Sequence, residues 1–243
     1  MDEPLADGGA IATYLAAEKV REFVKVVLVG EGGDETLGGY NWHKLASFTF
    51  SLLPQKVKKR LYFYFTTFYI GDSQVPFDTF LRLFVEKRSF LDSMSYFEIK
   101  NILPNSLLMK VDKMAMAHGL EARVPFLDYK FLSVALGLSQ SKKISLFSTK
   151  IFLRSYMQNR LPPSVPRRRK HGFIVPIDRW LENELRDFAH DILFSTQAYL
   201  PAVLPRQRIE CLFRKQKGLR AIENNALLWK LLIFELWQRK YLR

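Results

Sequence analysis

The chain has 243 residues, 48% of them hydrophobic, enough apolar side chain for one large domain or one domain with a helical extension, which excludes wholesale disorder. A single cysteine, Cys211, excludes an internal disulfide and a thiolate metal site, so a cytoplasmic compartment is expected. The formal net charge of +13 suits an anionic partner such as nucleotide, pyrophosphate, nucleic acid or acidic lipid, or equally a solvated basic surface.

The opening MDEPLADGGA lacks the basic and apolar regions of a signal peptide. No apolar stretch reaches the roughly 18 residues of a spanning helix, so no membrane partner is expected. Residues Gly8 to Phe23 carry Ile11, Tyr14, Leu15, Ala16 and Val20 at helical spacing. The β-branched run that follows predicts a buried strand over Lys25 to Val29, ended by a turn from Gly30 to Asp34. Five of the twelve glycines fall in the ten positions from Gly30 to Gly39. Such density marks a loop of special backbone geometry.

Beyond Tyr40 the apolar positions recur at helical rather than alternating spacing, so most of the remaining chain is expected to be helical. The Phe- and Tyr-rich stretch to Asn101, with the basic patch Lys56, Lys58, Lys59 and Arg60, reads as core packing. Pro104 and Asn105 predict the start of a helix lined by Leu107, Leu108, Val111, Met114 and Ala115. A further helix is expected over Ser148 to Arg160, then a proline-rich loop from Pro162 to Pro176 that contains Arg167, Arg168, Arg169 and Lys170. A long helix over Ala221 to Leu242 presents Leu227, Leu228, Leu231, Leu232, Phe234, Leu236 and Trp237 as its apolar stripe.

The glycine cluster fits neither familiar nucleotide pattern. Glu35 stands where the dinucleotide motif needs its third glycine, and the phosphate-loop lysine is absent. There is no nucleophile elbow, and His43, His118, His171 and His190 show no zinc spacing. What remains is a strand, then Gly30-Glu31-Gly32-Gly33-Asp34-Glu35, then Gly38-Gly39-Tyr40. Glycines there would let backbone N–H groups approach a phosphate, and an acid could hold Mg²⁺ against phosphate oxygens; the alternative is a glycine-rich turn with solvated acids. Two further constellations are Lys110 to Met114 with Leu120 to Asp128, and Lys170 to Pro176, where a lysine beside glycine could stabilise phosphoryl charge.

In this order the constellations resemble the synthetase domain of glutamine-dependent asparagine synthetases. The matching segments are Asp2 to Asp7, Val29 to Tyr40, Lys110 to Ala117, Leu120 to Asp128 and Lys170 to Trp180. They span nearly the whole chain. The resemblance implies an α/β, predominantly helical, adenine nucleotide α-hydrolase-like fold, with a partial parallel sheet in residues 1–45 and a mainly helical remainder over 46–243. It implies ATP as a substrate and Mg²⁺ as cofactor, with aspartate adenylated on its side-chain carboxylate and ammonia attacking the aspartyl-AMP. By position Asp34 is similar to the Mg²⁺-pyrophosphate aspartate, and Val29, Gly30, Gly32 and Gly33 to the nucleotide-binding segment. Glu31 matches the acid associated with acyl-adenylate formation, and Lys170 the lysine that neutralises phosphoryl charge. Glu121 matches an acid near the reacting centre of related amide-forming enzymes, or pairs with a nearby arginine.

Departures from the family pattern bear on function. Val29 stands where the family has Ser or Thr, and Ala115 replaces a frequent serine. No Ser-Gly-Gly-x-Asp-Ser loop occurs, and Cys211 lies too late to be the nucleophile of a glutaminase domain. The expectation is therefore a fragment that begins inside the synthetase domain, inactive alone, taking ammonia from a glutaminase domain that this sequence does not contain. Alternatives are a paralogous amidotransferase acting on a different carboxylate, or a non-catalytic basic binding module. Nucleic acid is not an expected partner, and a homodimer is a candidate assembly.

Overall fold

The computed structural model describes residues 2–47, 50, 52–70, 77–168, 172, 175–214 and 218–242. In chain order these form α1 (Gly9–Arg21), β1 (Val26–Leu28), α2 (Gly33–Leu37), a 3₁₀ segment (Asn41–Ala46), α3 (Gln55–Ile70), α4 (Phe77–Leu83) and α5 (Phe90–Phe97). A π-helical segment (Glu98–Leu108) leads into α6 (Met109–Met116), β2 (Glu121–Arg123), a 3₁₀ turn (Pro125–Leu127), α7 (Tyr129–Gly137), α8 (Gln140–Lys143), α9 (Ile151–Met157) and α10 (Ser164–Arg167). The last elements are α11 (Ile177–Glu182), α12 (Arg186–Phe194), α13 (Leu200–Val203), α14 (Arg206–Leu212) and α15 (Leu219–Tyr241). The fold is thus α/β and predominantly helical, and among the described residues no helix is long and apolar enough to cross a membrane.

Two compact units divide the chain, one of residues 13–172 and one of residues 1–12 with 173–243. In the first, β1 and β2 pair in parallel, Val26 opposite Glu121 and Leu28 opposite Arg123. The ladder continues at both ends through Glu121 N–H to Lys25 O and Val29 N–H to Arg123 O. The strand falls where the aliphatic run predicts it, but it is not buried. Val27 packs with Ala17, Val20, Ala115, Leu120 and Ala122, whereas Val26 and Leu28 are exposed, Leu28 by 70%. Parallel strands are buried when helices cover both faces, and only one face of this pair is covered among the described residues.

The aromatic stretch is core, as its helical spacing predicts. Trp42, Tyr62, Phe80, Phe84, Leu91, Met94 and Phe97 make one buried cluster. Lys58 and Lys59 of the basic patch lie over the rings of Phe90 and Phe84, and Lys59 also pairs with Glu86 at 2.7 Å. Pro104 does not start a helix. The chain is helical from Phe90, where the Ser89 hydroxyl caps Asp92 N–H, through to Met116. The wider π turn accommodates a residue without an N–H, and the side-chain amides of Asn101 and Asn105 bond the carbonyls of Phe97 and Asn101.

In the second unit, Leu228, Trp229 and Leu232 of α15 are buried against Leu181, Ala189, Leu193, Leu200 and Ile209. Leu227, assigned by its spacing to the same stripe, instead faces outward at 39% exposure. Glu235, fully buried, accepts the N–H groups of Tyr199 and Leu200 and the Arg239 guanidinium, fixing α13 on α15.

Candidate active site

The turn after β1 is built by glycine geometry. Gly32 has φ +85° and caps α2, so the turn ends there and Gly33 and Asp34 belong to the helix rather than to the predicted loop. A Cβ on Gly32 would overlap the Leu127 side chain, and one on Gly33 would meet the Phe126 ring at 3.2 Å. The glycine turn and the Val124 to Asp128 segment are therefore packed together. Gly30 is exposed and Val29 half-buried at the strand's end, while Gly32 and Gly33 are buried. Gly38, with φ +70°, ends α2, and both its N–H and that of Gly39 reach Asp34 O.

Asp34 and Glu35 stand side by side in the first turn of α2 and face different surroundings. The Asp34 carboxylate is about one-fifth exposed, with Lys150 Nζ 2.9 Å from its Oδ1. Glu35 is buried and accepts the Tyr40 phenol at 2.5 Å. Burial raises the Glu35 carboxyl above its ordinary range; the phenol acts the other way, while Glu98 and Asp34 add to the rise. Burial also pushes the Tyr40 phenol well up, helped by the neighbouring Glu35, Glu98 and Asp34.

Behind this pair lies a polar hub. Glu98, fully buried, accepts Trp42 Nε1–H at 2.9 Å, the Tyr62 hydroxyl at 3.0 Å and His43 Nε2 at 2.8 Å. Tyr40 N–H donates to His43 Nδ1 at 3.3 Å, which places the imidazole proton on Nε2, toward Glu98. The Trp42 indole stacks on the Tyr40 ring, centroids 4.2 Å apart and 14° from parallel. Glu98 thereby fixes the residues that hold Glu35.

Lys150 enters from the start of α9. Its φ of +53° makes it the one non-glycine residue with positive φ among the described residues, a conformation that costs about 1–3 kcal/mol for such a side chain. Four residues on, Arg154 donates to the carbonyls of Thr149 at 2.9 Å, Arg168 at 3.1 Å and Pro166. This guanidinium ties the head of α9 to the segment leading toward Lys170. A cleft of about 460 Å³ opens beside it, lined by Ser148, Ile151, Arg154, Ser155, Gln158 and Asn159 among others.

Of the residues singled out by sequence, Val29, Gly30, Glu31, Gly32, Gly33 and Asp34 gather at the C-terminal end of β1, where open α/β sheets bind ligands. Glu31 is half-buried in the turn. Glu121 is elsewhere. It lies opposite Val26, at the far end of the strand pair, and its exposed carboxylate accepts Arg123 Nε at 2.8 Å, so the ion pair is the geometry observed. Lys170 lies outside the described residues. Glu35 and Tyr40 fall inside the glycine motif without a role assigned to them, and Lys150 and Glu98 are not singled out by the sequence. Lys150 carries only the weak signal of standing at a helix start, and no spacing in the sequence connects Glu98 to its three donors.

Among the described residues no three His, Cys, Asp or Glu side chains cluster as a self-sufficient metal site. Asp34 nevertheless fits Mg²⁺ as one hard, partly exposed oxygen ligand, since that ion is commonly held by one or two carboxylates together with substrate phosphates. Glu35, turned in on Tyr40, is not available as the second.

The asparagine synthase family model matches residues 1–239. Glutamine-hydrolysing asparagine synthetase 1 of Bacillus subtilis is 30% identical over 97% of this chain and 44% of its own length. A putative glutamine-hydrolysing asparagine synthetase of Mycobacterium tuberculosis is 29% identical over 98% of the chain and 42% of its length, and asparagine synthetase B of Escherichia coli 29% over 66% and 22%. The chain spans less than half the length of these relatives. Match and geometry agree on a domain of the adenine nucleotide α-hydrolase-like class. The chain belongs to the asparagine synthase family.

Proposed function

We propose that this chain carries part of the synthetase site of an ATP-dependent ligase that forms asparagine from aspartate through aspartyl-AMP. The observation that supports this best is the meeting of Asp34 and Lys150 beyond the end of β1, one acid and one cation where a nucleotide's phosphates are expected. In the reaction a side-chain carboxylate oxygen of aspartate attacks the α-phosphorus and pyrophosphate leaves. Ammonia then attacks the acyl carbon, AMP departs with that oxygen, and a proton is lost from nitrogen. Negative charge accumulates on phosphate throughout, so the residues must supply compensating charge.

Asp34 would hold Mg²⁺, which supplies charge neutralisation at the phosphate oxygens when bound. Lys150 and Lys170 would add ammonium charge, and the backbone at half-buried Val29 and exposed Gly30 would lie along the nucleotide. Glu31, half-buried beside Asp34, is assigned to acyl-adenylate formation. Glu121 is assigned its ion pair with Arg123 and no part in the chemistry. Ammonia would come from glutamine hydrolysis, which the names of the relatives carry.

The test joins this chain to a segment bearing the Ser-Gly-Gly-x-Asp-Ser loop and supplies aspartate labelled with ¹⁸O on its side-chain carboxylate, with ATP, Mg²⁺ and ammonia. One ¹⁸O atom in AMP is expected. Label in inorganic phosphate with ADP would overturn the adenylation reading, and turnover only with another carboxylate would overturn aspartate as the substrate.

A further inference from the structure

Three features of the Asp34–Lys150 contact concern the same few atoms. The two charged groups are 2.9 Å apart with about a quarter and a fifth of their side chains exposed, so solvent screens them only partly. A Cβ on Gly39 would overlap Asp34 Oδ1 and Lys150 Cε, so a missing side chain provides the room for the pair. Lys150 holds a backbone conformation uncommon for anything but glycine, and from it the ammonium reaches Asp34.

A lysine seated on the carboxylate competes with whatever either group would bind. A divalent cation arriving alone must displace an ammonium and leaves Lys150 without its carboxylate. A polyphosphate arriving alone strips Asp34 of its cation. When both arrive, each separated group gains a partner of opposite sign. We propose that the Asp34–Lys150 pair is an interlock: it resists a divalent cation or a phosphate-bearing anion alone and admits the two together. This rests on the reading of Asp34 as the cation ligand. It adds that Lys150 opposes entry of the cation and that Gly39 is the positioning residue that permits it to.

The experiment titrates the full 243-residue chain with Mn²⁺, a spin probe for the divalent site, and follows free Mn²⁺ by electron paramagnetic resonance with and without pyrophosphate. Lys150→Met removes the competitor, so Mn²⁺ alone is expected to bind at least fivefold more tightly than to the unaltered chain. Gly39→Ala keeps both charges and forces them apart; its backbone lies outside the left-handed region, so alanine is permitted there, and it is expected to shift Mn²⁺ affinity in the same direction. It also decides the question should Lys150→Met lose its circular dichroism signature. In the unaltered chain pyrophosphate is expected to raise Mn²⁺ affinity, and in Lys150→Met to raise it less. Unchanged, weaker or undetectable Mn²⁺ binding in both variants overturns the interlock. Should Asp34→Asn leave Mn²⁺ binding intact, the assignment of Asp34 as the cation ligand fails, and the interlock with it.

Discussion

Tyr40 donates its phenolic hydrogen to Glu35 Oε1 across 2.5 Å, and through that bond one of two adjacent acids is kept in the interior while the other meets Lys150. The Glu35 carboxyl is raised chiefly by burial, so the folded state binds more protons than the unfolded one between pH 4.5 and its folded value. Stability therefore falls as pH rises through that window, and the penalty is complete above it. Glu35→Gln keeps an acceptor for the phenol without the charge. The variant is expected to be more stable than the unaltered chain at pH 7, with the gap closing toward pH 4 in urea unfolding. Tyr40→Phe should cost about 1–3 kcal/mol, because a buried acceptor loses its donor.

Lys143 is the opposite case. It is fully buried and no hydrogen-bond partner is present for its Nζ among the described residues. Burial lowers its ammonium below the usual lysine range, with Asp92 opposing and Arg88 reinforcing the shift. Between the folded value and 10.5 the unfolded chain binds more protons, so stability rises with pH across that interval. Lys143→Met, close in length and uncharged, is expected to raise the thermal midpoint at pH 7 by several degrees and to remove this pH dependence. Differential scanning calorimetry from pH 7 to 10 measures both; a lower midpoint would mean that the buried ammonium has a stabilising partner.

Glu98 serves three donors from separate parts of the first unit, the Trp42 indole, the His43 imidazole and the Tyr62 hydroxyl. Glu98→Ala leaves all three facing a cavity, and a loss of at least about 3 kcal/mol is expected from unpaired buried donors. Glu98→Gln retains an acceptor oxygen and should lose less. The distinguishing measurement is near-ultraviolet circular dichroism of the tryptophan band, because the Trp42 indole that stacks on Tyr40 is the one that Glu98 holds.

Residue order and spacing made the glycine turn legible. Val24 to Val29 ends in Gly30, and the packing of Leu127 over Gly32 shows why the two motifs containing them occur together. The helical spacing beyond Tyr40 likewise located α15 within two residues at each end. Burial of β1 was not legible, because an aliphatic run is the same whether one face or both are covered. Pro104 misled because proline marks a helix start only when the next turn is α-helical, and here the turn is wider. Lys150 escaped because its partner is set by tertiary packing, and its positive φ is invisible in a sequence that reads as ordinary helix from Ser148 onward.

Arg154 yields a prediction that separates local order from global stability. Its guanidinium bonds the carbonyls of Thr149, Pro166 and Arg168, joining the residue before Lys150 to the chain that leads to Arg169 and Lys170. Arg154→Met keeps the aliphatic stem and removes all three bonds. Because carbonyl groups near the surface can turn to water, the midpoint of unfolding should fall by little, about 1 kcal/mol in stability. Local opening of the tethered segment should become easier, however, and trypsin has four sites in sequence there, Arg167 to Lys170. Cleavage in that window is expected to accelerate about tenfold, as a loss near 1.4 kcal/mol of local protection would give. Arg154→Lys should not restore it, since a single ammonium lacks the planar fork that spans three carbonyls. Trypsin digestion followed by mass spectrometry reads the rate at each site. Equal rates in Arg154→Met and the unaltered chain would mean that the guanidinium contacts to Pro166 and Arg168 contribute nothing measurable to local protection.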